Sequence, residues 1–312
     1  MDGSKNWKRE VWPVMLTPFR KSNEIDLDEL RKLTEFYIAT GSTGLFANCL
    51  SSEMFQLTDT ERILVTKTVV DQVKGRQGVI ATGNFDYNIK ESIEFIKRIY
   101  DTGVEGVIIN SGLLALETES DDVVKRNLEQ ILNETDTIPL GIYECPVPYK
   151  RIISVNLMKW MADSGRFQFL KSTSCNLNEI KSKLSVTNGS TVKINNANIP
   201  TSLSSLKAGA HGIASIASNF YPELITYLAN YQDKEPLKID KVNAWLTVVD
   251  NLIHQFYPMS AKYFLQKRGM NIQLNTRIPM GSFTYQDYVK FDELLKGFYL
   301  ISEELEIDVY KF

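Results

Sequence analysis

The chain of 312 residues predicts an α/β fold, a (β/α)8 TIM barrel with a C-terminal helical extension. Three observations carry this. Between residue 11 and about residue 230, short apolar, β-branched runs alternate eight times with longer segments of helical spacing. The short runs are continuously apolar, the mark of parallel strands covered on both faces. Neither GxGxxG after the first run nor GxxxxGK[ST] anywhere is present, so the nucleotide loops of open sheets are missing. Eight such units would also build two doubly wound sheets; the missing loops favour the barrel. It is assigned to residues 1–230 and the extension to 231–312.

The elements follow in order. VWPVMLTPF (11–19) is the first strand, and an aspartate just before LDELRKLTEFYIAT (27–40) is placed to cap the first helix. GLFANC (44–49) precedes TDTERILVTKTVVDQV (58–73), where Thr58 with Glu61 three residues on forms a capping box. GVIATG (78–83) and IKESIEFIKRIYDTG (89–103) make the third unit, GVIINS (106–111) and SDDVVKRNLEQILNET (120–135) the fourth. PLGIYEC (139–145) pairs with VNLMKWMADSG (155–165), and FQFLKS (167–172) with LNEIKSKL (177–184). TVKINN (191–196) with IPTSLSSLKAG (199–209), then GIASIAS (212–218) with YPELITYLAN (221–230), complete eight. Helices ending in glycine at 103, 165 and 209 show the C-cap chemistry of loops that lead into strands. YQDKEPLKID (231–240) reads as a polar connector. Three helical stretches follow: KVNAWLTVVDNLIHQFY, SAKYFLQKRG and, after the loop NIQLNTRIPMG, TYQDYVKFDELLKGFYLISEEL.

Composition narrows the function. A net charge of -3 with interspersed signs, and no basic block, argues against a nucleic-acid partner. No stretch nears the ~18 apolar residues of a membrane span, and MDGSKNWKRE lacks the apolar segment of a secretory leader. Three cysteines (Cys49, Cys145, Cys175) without CxxC point to a reducing, cytoplasmic setting and to no zinc site. Two histidines, His211 and His254, leave metal centres and Ser/His/Asp triads short of parts. His211 reads as structural or exposed, and the cysteines as small apolar filler.

In such a barrel the working face is built from strand C-terminal ends. The polar residues expected there are Ser51, Ser52, Asn110, Ser111, Tyr143, Glu144, Lys171, Asn195 and Asn196. Lys171 is the cation directly at a strand end; Lys193 lies earlier in its strand. A desolvated amine loses its proton near neutral pH and becomes a nucleophile toward carbonyl carbon. A phenol one strand away can move protons, and serine hydroxyls can hold a carboxylate. Glu144 reads as a structural hydrogen-bonding group.

The chain resembles the dihydrodipicolinate synthase / N-acetylneuraminate lyase family, pyruvate-dependent class I aldolases on this barrel. The likeness runs through VMLTPF, DLDELRKLTEFYIATGSTGLF, SSEMFQLTDTER (51–62), YECP (143–146), FLKST (169–173), GIASIASN (212–219) and SAKYFLQKRG (260–269). It implies that Lys171 forms an imine with pyruvate or another 2-oxo acid and that Tyr143 shuttles protons. Ser51, with help from Ser52, would bind the substrate carboxylate, and Ala214 would contact substrate through its backbone. No cofactor or metal is implied. The second substrate would be an aldehyde or sugar acid, and the assembly a homo-oligomer, dimer or tetramer.

Departures accompany the likeness. Leu50 replaces the loop's first hydroxyl, Cys49 and Ser52 replace its glycines, and Leu113 and Leu114 stand where the synthases carry an aromatic relay residue. Tyr149, Lys150 and Arg151 stand where an arginine is expected after the proline. Leucines at 50 and 114 facing the pocket would dry it. The expected activity is therefore a Schiff-base lyase other than dihydrodipicolinate synthase itself. The rival expectations are a 2-keto-3-deoxy sugar acid dehydratase using the same imine, or a non-catalytic keto-acid-binding barrel.

Overall fold

The protein was analysed as a computed structural model, which describes residues 9–312. Most of the N-terminal stretch read for a leader falls outside the described residues.

Eight parallel strands, β1 (Glu10–Val11), β2 (Gly44–Asn48), β3 (Gly78–Thr82), β4 (Gly106–Asn110), β5 (Leu140–Tyr143), β6 (Phe167–Ser172), β7 (Lys193–Asn196) and β8 (Gly212–Ile213), pair in sequence order, with β1 on β8. A parallel bridge between Val14 and Phe46 closes β1 onto β2, through Phe46 N to the Pro13 carbonyl and Met15 N to the Phe46 carbonyl, each 3.0 Å. The first strand is thus far shorter than 11–19. Pro13 has no N–H to give the ladder, so only isolated contacts continue beyond it. The eighth is short too, because Ile216–Asn219 turns into a 3-10 segment.

Between strands run α1 (Leu27–Ala39), α2 (Asp59–Val73), α3 (Ile89–Tyr100), α4 (Asp121–Glu134), α5 (Val155–Asp163), α6 (Leu177–Thr187), α7 (Ser202–Lys207) and α8 (Pro222–Tyr231). Their starts follow the cap chemistry. Asp26 accepts from Glu29 N at 3.2 Å, and Thr58 and Glu61 form a reciprocal capping box. Gly103 and Gly209 end their helices at φ of 94° and 107°, which a side chain would oppose.

The extension comprises α9 (Pro236–Ile253), α10 (Met259–Lys267) and α11 (Tyr285–Glu304). Half of the expected polar connector is in fact the first turn of α9. Pro236 suits the first helical position, where its missing N–H has no partner to lose. Ile239, Val242, Leu246 and Ile253 then form a buried stripe, and Asp240 and Lys241 between them face outward.

Strand pleating sorts the core into two layers. Leu45, Ala47, Val79, Ala81, Val107, Ile109 and Ile142 face the helices, while Phe46, Ile80, Ile108, Phe169 and Trp12 fill the barrel interior. At the N-terminal end of the barrel the inward positions are glycines. A Cβ on Gly44 would lie 2.2 Å from the Trp12 ring, so that ring occupies the space of the missing side chains. Below it opens a cavity of about 1150 Å³ bordered by Glu10, Lys193 and His211, at the end opposite the strand C-termini. No helix among the described residues is long and apolar enough to cross a membrane.

Candidate active site

Register puts the candidate residues on one rung. Asn110 pairs with Tyr143, Tyr143 with Lys171, and Lys171 with Asn195 across β4 to β7. Tyr143 shares the interior layer with Ile108 and Phe169, and Lys171 lies on the same pleat as Phe169, whereas Asn110 donates to the Val147 carbonyl and accepts from Gly112 N, and Asn195 donates toward Glu10. Below them lies an aromatic floor. Trp12 meets Phe169 edge-on at 5.3 Å between centroids, and Phe46 meets Tyr143 at 5.9 Å.

Lys171 is 4% exposed, and among the described residues no protein group hydrogen-bonds its amine. Nζ sits 4.3 Å from the Tyr143 ring centroid and 5.7 Å from that of Phe46. Burial is the main force on this group and lowers its pKa from the usual lysine range, while the neighbouring Cys49 and Cys145 oppose the shift weakly. Burial pushes the Tyr143 phenol well above its ordinary value and the Cys145 thiol up to about 11, so both stay protonated at neutral pH. The site thus combines an amine shifted toward its free base with a phenol that keeps its proton.

Two further strands add unpaired polarity. Both side-chain polar atoms of Asn48 and the hydroxyl of Thr82 are buried on the inward pleats of β2 and β3 with no protein partner. Buried polar atoms are normally paired, so a cluster without partners marks where water or a ligand belongs.

The loop after β2 supplies the serines. Ser51 is buried, and its amide finds no backbone acceptor among the described residues. Ser52 is turned the other way. Its hydroxyl donates toward the Met15 carbonyl (2.7 Å) or the Ala47 carbonyl (3.1 Å) and accepts from Cys49 N at 3.1 Å. That hydroxyl holds the loop together. Ala214, fully buried in the interior layer, gives its N–H to the Asn196 carbonyl at 2.9 Å.

Glu144 faces away from the amine. It forms a fully buried ion pair with Lys183 of α6 and accepts from Ser172 Oγ (2.9 Å), Thr173 N (3.1 Å) and Ile153 N (3.0 Å). One carboxylate thereby ties the ends of β5 and β6, immediately after Tyr143 and Lys171. Glu53, at φ 59°, does the same for the serine loop. It pairs with buried Lys262 of α10 at 2.9 Å and accepts from Arg277 N (2.5 Å) and Ile278 N (3.0 Å). Both carboxylates show the pattern in which a buried charge is tolerated, a counter-ion plus enough donors to fill its lone pairs.

The remaining candidates find plainer places. Lys193 is half-exposed and paired with Glu10 at 2.5 Å; His211 Nδ1 accepts from Ile194 N at 3.0 Å, which fixes a neutral ring. Cys49 and Cys145 are buried beside the amine, but Cys175 is exposed and not filler. Leu114 packs outward against the helices, so the drying of the pocket from that side does not occur; Leu50 does pack on the interior layer. Arg151 is committed to the strand-4 loop, donating to the Leu116 and Glu119 carbonyls (2.8 Å each) and to the Tyr149 hydroxyl (2.7 Å). No group of three or more potential metal ligands occurs among the described residues.

Sequence reasoning missed Tyr257, Glu53, Lys183 and Lys262. The signal was there for Lys262, a lysine between Ala261 and the aromatic pair Tyr263–Phe264, but its partner lies 209 residues away.

The profile of the Dihydrodipicolinate synthetase family matches residues 8–297. A 4-hydroxy-tetrahydrodipicolinate synthase of Methanococcus maripaludis is 26% identical over 264 residues, 84% of this chain and 86% of that one. One of Oceanobacillus iheyensis is 26% identical over 293 residues, covering 93% and 97%. Among solved structures, a prophage protein of E. coli K12 from the same family, in complex with pyruvate, superposes with a TM-score of 0.84 at 20% identity, over 94% of this chain and 99% of that one. The fold is therefore shared throughout. The Methanococcus and Oceanobacillus relatives carry the synthase name, and the comparisons do not support setting this chain apart from that activity.

Proposed function

The chain belongs to the dihydrodipicolinate synthetase family, whose members are class I, aldolase-type lyases, and from that premise we propose that it makes or breaks a C–C bond through an imine between Lys171 and pyruvate or a related 2-oxo acid. The observation that carries this is the unpartnered, buried amine of Lys171 with the Tyr143 phenol on the same rung.

The chemistry follows from those two groups. The neutral amine attacks the ketone carbon, forming a C–N bond while the C=O π bond breaks, the oxygen takes up a proton and the nitrogen gives one up. A second proton lets that oxygen leave as water, and an iminium remains. Tyr143, protonated at neutral pH, supplies and recovers these protons. The iminium withdraws electrons from the adjacent carbon, which loses a proton to give an enamine. The enamine then adds to an aldehyde, or in the reverse direction a C–C bond breaks to release one, and water returns the amine. Ser51 would receive the carboxylate through its hydroxyl and free amide, with Ala214 lining the interior beside it. Ser52 supports this by shaping the loop.

The engagement of Arg151 bears on the second substrate. With its guanidinium held by two carbonyls and a phenol, an aldehyde lacking a second carboxylate fits better than one that needs this cation. We include in the proposal a homo-oligomer built on the loops after β3, β4 and β5, where Tyr87, Leu116 and Val147 are exposed at 44%, 52% and 40%; sedimentation would show a monomer if this is wrong.

The test is borohydride reduction in the presence of pyruvate, then release of pyruvate from a panel of 4-hydroxy-2-oxo and 2-keto-3-deoxy acids. An adduct with turnover supports the lyase. An adduct with water loss and no C–C cleavage identifies the dehydratase, and the absence of any adduct a binding barrel.

A further inference from the structure

Most polar side chains around the barrel mouth are spent on the frame. After β1, β3 and β4, Thr17 donates to the Ser52 carbonyl at 2.8 Å, Asn84 Oδ1 accepts from Asn110 N at 2.7 Å, and Ser111 donates to the Arg151 carbonyl at 2.7 Å. Asn48 and Thr82 differ. They are the last residues of β2 and β3, and both are fully inaccessible. Neither the amide nitrogen and oxygen of Asn48 nor the Thr82 hydroxyl has a partner among the described residues.

Their direction follows from the pleat. Two residues earlier, Phe46 and Ile80 are paired neighbours in the interior layer, whereas Ala47 and Ala81 face the helices. Asn48 and Thr82 therefore continue the interior face toward the strand C-termini, on adjacent strands. Lys171 does the same beyond Phe169, and its Nζ lies 5.7 Å from the Phe46 ring centroid. A 2-oxo acid joined to that amine is thus held between β6 and β2.

Three buried polar atoms without partners cost stability that apolar side chains of the same shape would not. The group that complements them follows by elimination. The strands read GLFAN and GVIAT and carry no charge, so a carboxylate against them would lack a counter-ion. A methyl group would leave the amide and the hydroxyl unpaired. A neutral hydroxyl both donates and accepts, as an amide and a threonine hydroxyl require. We propose that Asn48 and Thr82 are specificity-determining residues: they bind a hydroxyl of the second substrate and so make a hydroxyaldehyde the preferred partner of the Lys171 enamine. This rests on the imine reading given above and goes beyond it in naming the residues that select the second substrate and the group they select.

The test compares kcat/KM for joining pyruvate to glyceraldehyde, to propanal and to succinic semialdehyde, which carries a carboxylate. It uses the wild type, Asn48→Leu and Thr82→Val, with borohydride trapping of pyruvate and thermal melting alongside. A site built to hydrogen-bond a hydroxyl rejects the analogue that lacks it, here by about 5–150-fold. Expected is a wild-type preference of that size for glyceraldehyde over propanal, with the semialdehyde also disfavoured. N48L should lose the preference through a fall with glyceraldehyde, still form the pyruvate adduct, and melt no lower than wild type, because an unpaired amide has been removed. T82V should lose part of the preference, and it decides the matter by the same ratio if N48L does not fold. A wild type without the preference, a preference that survives in both variants, or an adduct-forming protein that joins pyruvate to none of the three aldehydes overturns this inference while the imine reading stands. No adduct in the wild type overturns both.

Discussion

Replacing Lys183 with Met removes the only cation paired with Glu144 among the described residues, and the cost can be worked out. Both side chains are fully inaccessible, and Glu144 keeps three donors, Ser172 Oγ, Thr173 N and Ile153 N, but loses its counter-charge. Breaking a buried pair on one side typically costs about 3–5 kcal/mol. With an unfolding entropy of ~2.1 cal/mol/K per residue over 312 residues, this lowers the melting temperature by roughly 5–8 °C. The loss extends to the site, since the same carboxylate holds the β5 and β6 ends beside Tyr143 and Lys171. Calorimetry of K183M should show the drop, and borohydride trapping should slow at saturating pyruvate. K183M/E144Q should recover part of the melting temperature, because the stranded charge is then gone. A K183M protein melting within about a degree of wild type would refute the view that this pair clamps the two strands.

Further outcomes follow from the same geometry. Lys171→Met should form no adduct yet melt no lower than wild type, because a desolvated amine is removed. The pKa of Lys171 is lowered in the folded state, so the unfolded chain binds more protons and wild-type stability rises with pH toward the free-lysine pKa. Lys171→Met should lose that rise in urea titrations at a series of pH values. Tyr143→Phe should reduce turnover by about 10²–10⁴-fold, the usual contribution of a positioned acid–base group, with the fold intact by circular dichroism. Gly44→Ala should cost about 1–3 kcal/mol in chemical denaturation by pushing Cβ into the Trp12 ring.

Much of this site was legible in the chain because barrel position follows from local pattern. The periodic switch from apolar runs to helical spacing placed Tyr143 and Lys171 at strand ends, and pleating then forced both inward on one rung. What stayed hidden depends on closure. Glu144 and Lys183 are 39 residues apart and Glu53 and Lys262 are 209 apart, and no local rule pairs them. Leu114 packs against the outer layer and not the pocket, and the Ser52 hydroxyl is taken up by the Met15 and Ala47 carbonyls, because in a turn one position of rotation decides which way a side chain goes. The start of α9 was masked by charged residues whose solvated face hid a narrow buried stripe. Tyr257 could not be recognised from its neighbours at all, since only the folded extension brings it to Asn219.

Peptide mapping of the protein reduced with borohydride in pyruvate probes the imine itself. The expected result is one modified lysine, Lys171, with the modification absent when pyruvate is omitted. Modification of Lys193 instead, or a protein left unmodified, would contradict the account.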